Sequence, residues 1–222
     1  MNRYNIFEKI FIYFGILIFL TFILLPFVEM FYASLRPLTH LFRSPYQFYS
    51  DDLSFWAYKE MWNTVPMLGR YIFNSLFLAT ATSIITLIFV IPAAYSYARF
   101  NFPAKNTSLY LLLAINMFSG AVLLIPLYKL LKLFGLLNTY QAMIVPGVAF
   151  LIPTAIWLLK SYFEKIPIEL EEAAFCDGAS RLQILRYIIA PLSTPGLVVV
   201  GIYAFIGSYA QQFLFAISFN QK

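Results

Sequence analysis

The sequence predicts an all-α polytopic membrane protein, on three observations. Apolar residues make up 61% of the 222, aromatics 19% and charged residues only 11%, and the mean hydropathy is +0.77; a soluble domain carries about 25% charged residues. The apolar residues gather into long runs. One polar, charge-bearing stretch, Ile166–Pro191, interrupts them between the last two runs. Backbone inside a bilayer has no water to bond, so the runs can span only as helices.

About 20 apolar residues cover roughly 30 Å of hydrocarbon as helix. Five stretches meet that length: about Ile10–Met30, Tyr71–Tyr95, Ser108–Tyr128, Tyr140–Leu159 and Pro191–Phe219. The first is read as a span and not as a signal peptide, because it is too long, ends in aromatics and Pro26, and has no clear small-residue cleavage site after it. The net charge of +5 is modest and the basic residues are scattered. That pattern suits Lys and Arg snorkelling at membrane edges and makes no case for nucleic-acid binding. Cys176, the one cysteine, has no partner for an intrachain disulfide.

The longest connection, Phe31–Arg70, carries Asp51, Asp52, Lys59, Glu60, Trp56, Trp62 and three prolines. It is too polar to span and too aromatic for plain disorder. A short interfacial helix is expected near Ser54–Thr64 with its tryptophans at headgroup level. The aromatics form a belt there or meet an external binding protein. His40, the one histidine, is expected to be solvated.

The polar stretch builds a helix-turn-helix outside the bilayer. Pro167 suits the first position of a helix, and Glu169, Glu171 and Glu172 crowd its early turns, where the helix dipole favours negative charge. Ile166, Leu170, Ala173 and Ala174 fall on one side, and its two alanines suit close approach to a partner's groove. Asp177-Gly178 should stop that helix. A second should start at once, because Ser180 and Gln183 have capping-box spacing and Leu182, Leu185, Ile188 and Ile189 repeat with helical period. Pro191 opens the next apolar run.

Glu172-Ala173-Ala174, then Gly178, Ile188 and Pro191 at their spacings, closely resemble the EAA loop of the permease subunits of ABC importers. Ile125-Pro-Leu-Tyr128, Gly135-Leu-Leu-Asn-Thr-Tyr140, Trp157-Leu-Leu-Lys160 and Asp177-Gly178-Ala179 widen the resemblance to the carbohydrate-uptake branch. Asn74-Ser75-Leu76 and Ala93-Ala-Tyr-Ser-Tyr-Ala-Arg99 match as well, so the similarity runs from about Tyr71 to Phe219. It implies one permease domain over 1–222, an external loop at 31–70 and a cytoplasmic coupling loop at 161–190. It implies four kinds of neighbour: a second, distinct permease subunit, a cytoplasmic ATPase dimer, an external solute-binding protein and the lipid bilayer. ATP and Mg belong to the ATPase, and Glu172 pairs with a basic group in its cleft. The coupling residues carried over are Glu172, Ala173, Ala174, Asp177, Gly178, Ile188 and Pro191.

Counting Lys and Arg leaves the orientation undecided, with eight on one side and seven on the other. The resemblance puts the N-terminus and the coupling loop in the cytoplasm of a prokaryotic inner membrane. Its pattern has six spans where five are visible here, so a truncated last span is expected beyond Lys222.

No Ser-His-Asp, metal-ligand or paired-carboxylate arrangement assembles from these residues. There is no G-x-x-x-x-G-K-[ST] loop either, so the chain is expected to be a transport subunit and not an enzyme. Polar side chains inside spans are costly in lipid and face a bundle or cavity. Asn74, Ser75, Thr80, Thr82, Ser83, Asn116, Ser119, Tyr209, Gln211 and Gln212 are the candidates; each lines a pathway or bonds a neighbouring helix. Gln211-Gln212-Phe213 stands where many relatives have Asn-Glu-Phe after a Trp, which Ala210 replaces here. Sugar is the substrate that the resemblance implies. A permease for polyamine, phosphate or peptide, and a scaffold or channel outside the ABC class, are the other readings.

Overall fold

A computed structural model describes residues 6–37, 53–118 and 120–219. His40, Asp51, Asp52, Ser119 and Lys222, all considered above, lie outside those residues. Among the described residues the structure is helical with no strand, as the composition predicts. The chain divides into two compact units, Met1–Gly69 and Arg70–Lys222.

In the first unit, α1 spans Ile6–Leu35. Its apolar side chains are exposed all round, Phe11 at 79% and Phe22 at 80%, the signature of a helix whose solvent is lipid. A short α2, Trp56–Thr64, forms where an interfacial helix was expected. The Ser54 Oγ accepts from the Trp56 amide at 3.3 Å. The two helices meet through Ser34 and Tyr58, whose hydroxyls are 2.8 Å apart.

The second unit holds nearly all of α3 (Leu68–Arg99), then α4 (Lys105–Ile115), α5 (Gly120–Leu133), α6 (Gln141–Phe163), α7 (Glu169–Cys176), α8 (Arg181–Leu192) and α9 (Thr194–Phe219). Among the described residues α1, α3 and α6 are each long and apolar enough to cross a bilayer, and α8 and α9 qualify together as a span bent by 84°. The expected third span, Ser108–Tyr128, is not one helix. Around Asn116 the chain tightens into three-residue turns, with the Asn116, Met117 and Phe118 amides bonding back to Leu113, Ala114 and Ile115. Asn116 and Gly120 are poor helix formers close together, so the run splits into α4 and α5. The expected fifth span starts at Thr194, three residues after Pro191, for a reason given below.

α3, α6 and α9 pack closely because small residues stand at their crossings. At Gly196 the backbone of α9 lies so near Tyr162 on α6 that an added Cβ would sit 2.5 Å from its ring. Ser83 on α3 donates to the Gly201 carbonyl of α9 at 3.0 Å, and Thr82 is buried. Helix pairing therefore accounts for Ser83. One core cluster joins Val90, Tyr95, Leu159 and Phe163 to Ala174, Ile184 and Ile189 of α7 and α8. A smaller one, Leu131, Ala142 and Phe215, lies towards the other ends of α6 and α9.

A candidate coupling hairpin and the opposing cavity

α7 and α8 form the expected helix-turn-helix, and its turn is built from backbone bonds. The Ala179 amide donates to the Ala174 carbonyl and the Gly178 amide to the Phe175 carbonyl, both at 3.0 Å. This Schellman closure requires a left-handed residue, which Gly178 supplies at φ +83°. Ser180 then opens α8 with the predicted capping box: its Oγ accepts from the Gln183 amide, and its own amide donates to Gln183 Oε1 at 2.7 Å. The start of α7 differs slightly from expectation. Ile168 occupies the cap position and Pro167 precedes it.

Inside α8 the segment Leu185–Ile189 is a π-turn, and the Ala190 amide reaches back to Leu185. Pro191 offers no N–H to Tyr187, four residues back, and its ring crowds that carbonyl. A one-residue bulge is a usual outcome. The helix then breaks at Ser193, which is 3% exposed and whose Oγ has no partner. The 84° bend falls here, so Pro191 belongs to α8 and not to the final span. Ile188, in the π-turn, packs half-buried against the main core.

The faces of α7 are sorted differently from the sequence reading. Ala174 is 8% exposed and faces its own bundle, whereas Glu172 and Ala173 are exposed. The two alanines do not share one outward face, because adjacent helical residues point about 100° apart. Ile166, also assigned to that face, packs against the chain's own core. Glu169, Glu172, Ala173, Cys176 and Asp177 are the exposed set, with Leu170 at 44% and Phe175 at 41%.

Glu171 decides which face turns inward. It is 3% exposed; its Oε1 accepts from Arg99 Nε at 2.5 Å and its Oε2 from the Tyr95 hydroxyl at 2.7 Å. Arg99 also donates through Nη2 to the Ile166 carbonyl at 2.8 Å. In the sequence Glu171 is only one of three carboxylates favoured by the helix dipole. Its three-residue spacing from Ala174 puts both on one face, but no local signal says that this face is the buried one. On α8, the Arg181 guanidinium lies 4.6 Å from the Phe100 ring centre and 5.4 Å from that of Phe175.

Four of the candidate pathway residues, Asn74, Ser75, Tyr209 and Gln212, come together at the other end of the unit. They line a cavity of about 690 Å³ with Tyr71 and the start of α6. The Gln212 amide donates to the Ser75 carbonyl at 2.9 Å, and the Tyr140 hydroxyl to Asn74 Oδ1 at 3.4 Å. Asn138, Thr139, Tyr140 and Gln141 line it too; in the sequence the first three stand out only through the resemblance of Gly135–Tyr140, and Gln141 not at all. Asn116 and Gln211 lie elsewhere, in a cavity of about 230 Å³ with Tyr203 and Phe150. There the Asn116 amide donates to Thr154 Oγ1 at 2.7 Å, and Gln211 Oε1 is buried without a partner. α3 joins the ends: from Asn74 to Arg99 it rises about 37 Å.

A helical membrane unit with a polar hairpin at one end and an amide-lined cavity at the other has the form of a transport subunit. Residues 90–221 match the family described as binding-protein-dependent transport system inner membrane component. The sulfoquinovosyl glycerol transport system permease protein SmoH of Agrobacterium fabrum is 32% identical over 90% of this chain and 69% of its own length. The trehalose/maltose transport system permease protein MalG of Thermococcus litoralis is 31% identical over 98% of this chain and 78% of its own. Among solved structures, a chain of a bacterial ABC transporter involved in import of the acidic polysaccharide alginate aligns over 94% of this chain and 74% of that one, with a TM-score of 0.70 and 25% identity. This chain belongs to the binding-protein-dependent transport system inner membrane component family. It is a multi-pass permease subunit of an ABC importer, and ATP hydrolysis belongs to a separate subunit.

Proposed function

We propose that this chain carries a sugar or oligosaccharide across the prokaryotic inner membrane by alternating access, with its N-terminus and the α7–α8 hairpin in the cytoplasm. An external binding protein delivers the solute, and a second, distinct permease completes the pathway. A cytoplasmic ATPase dimer receives the hairpin, where Glu172 pairs with a basic group in its cleft and Ala173 permits close contact. ATP-driven closure of the dimer displaces the hairpin, and the bundle rocks.

The observation carrying this reading is that Glu172 and Ala173 are exposed on a hairpin joined to the bundle core, at the opposite end from the cavity. Substrate class is supported by the cavity's chemistry. Its walls present amides, hydroxyls and phenols with no ionisable carboxylate, Lys or Arg among the described lining residues. Polyamines call for carboxylates and phosphate for Arg or Lys, whereas neutral hydrogen-bonding groups suit sugar hydroxyls. The names of SmoH and MalG agree with that class.

The test is to purify the assembled complex with Glu172→Ala or Gly178→Ala and compare ATPase content and labelled trehalose or maltose uptake with the unaltered chain. Loss of ATPase association or of uptake is expected. Unchanged uptake with normal assembly would refute the coupling role, and uptake of putrescine or phosphate in place of sugars would refute the substrate class.

A further inference from the structure

We propose that the Glu171–Arg99 pair is a strut that passes displacement of α7 directly into α3, and so to the cavity wall at the far end of α3. Chain connectivity alone would send that motion only into α6, and through α8 into α9. The inference rests on the importer reading above.

Glu171 and Arg99 are 72 residues apart in sequence, yet their side chains are only 5% and 10% exposed where they meet. Arg99 holds α7 at two points, the Glu171 carboxylate and the Ile166 carbonyl just ahead of the helix, while Tyr95 holds the second carboxylate oxygen. Separating a buried pair leaves uncompensated charge in a low dielectric. The two helices therefore move together sooner than they part. Arg181, stacked near the ring of Phe100, ties the second limb of the hairpin to the same end of α3. The exposed Lys160–Glu164 pair lies within four residues and links no separate elements.

The chain route is softer. Between α8 and α9 come a π-turn, the 84° bend and the unbonded Ser193 hydroxyl, and bulges and breaks of this kind are where helices yield. α3 carries Pro92 inside it, yet it stays one helix from Leu68 to Arg99 with no break like that at Ser193, and it holds Asn74 and Ser75 in the cavity wall. Arg99, Glu171 and Tyr95 are thus positioning residues for transport: they touch no solute and set what moves with α7.

The test uses the assembled complex in nanodiscs with cysteine-free partner subunits. Spin labels go on Cys176, exposed on α7, and on Leu76→Cys, on the exposed side of α3. Their separation is measured by pulsed electron resonance without nucleotide and after trapping with ATP and vanadate. In the otherwise unaltered chain one separation is expected in both states. In Arg99→Gln and Glu171→Gln it is expected to shift between states and broaden, with the ATPase still bound. Arg99→Lys keeps the charge but loses the two-point grip, and is expected to shift by less. A separation that changes with nucleotide when the strut is intact overturns the proposal, as does one that stays fixed in all three variants. Should the glutamine variants fail to accumulate, the intact and Arg99→Lys arms decide it alone. Absence of ATPase from the unaltered complex would instead refute the importer reading.

Discussion

Glu171 and Glu172 are adjacent in sequence and stand in opposite environments, Glu171 at 3% exposure against Arg99 and Tyr95 and Glu172 in the open. Helix rotation makes that separation, and it gives one carboxylate an anchoring geometry and the other an outward one. Glu171→Ala should cost stability, by about 3–5 kcal/mol for breaking a buried pair. Glu172→Ala should stay within about 1 kcal/mol while uptake falls. Thermal unfolding of the purified permease beside uptake by the complex reads both; equal destabilisation by the two changes would contradict the assignment.

The turn at Gly178 tests whether hairpin shape matters apart from charge. A Cβ at φ +83° meets no neighbour but strains the backbone, so Gly178→Ala should destabilise by about 1–2 kcal/mol. Gly178→Asn, which tolerates that conformation better, should recover part of the loss. Unfolding midpoints of the two variants, compared side by side, provide the check.

At the crossing of α6 and α9, Gly196→Ala drives a methyl into Tyr162. Overpacking of this kind costs about 1–3 kcal/mol. Removing the ring in the Gly196→Ala, Tyr162→Ala double variant should make the two effects non-additive. A double-mutant cycle on unfolding that proves additive would show that the helices do not meet as described.

In the cavity, Gln212→Leu removes the bond to the Ser75 carbonyl and a neutral polar group from the wall. Loss of one such bond is worth about 0.5–1.5 kcal/mol. If it is exchanged with solute, the concentration for half-maximal uptake of the transported sugar should rise roughly two- to tenfold at unchanged ATPase content. Gln211→Leu, in the separate small cavity, should leave that concentration nearly unchanged, since it relieves a buried oxygen that has no partner.

Much of this fold was legible because its signals are local. Hydropathy announced the long helices α1, α3 and α6, and Gly178, Ser180 and Gln183 announced a turn whose bonds involve residues only a few positions apart. Two readings failed where local signals compete with packing. Ser108–Tyr128 looked like one span because composition does not register that Asn116 can end a helix and bond Thr154 on α6. Ala173 and Ala174 looked like one outward face because an apolar count does not say which side a helix buries.

Composition and short-range spacing thus established a helical membrane protein with a capped polar hairpin, since hydration and backbone capping depend on near neighbours. Only the folded chain decided that Arg99 finds Glu171 across 72 residues, that Gln211 and Gln212 enter different cavities, and that Asn74 shares a wall with Tyr209 and Tyr140. Those outcomes depend on how rigid helices cross and rotate against one another. That is a property of side-chain volumes meeting in three dimensions, which no run of neighbouring residues contains.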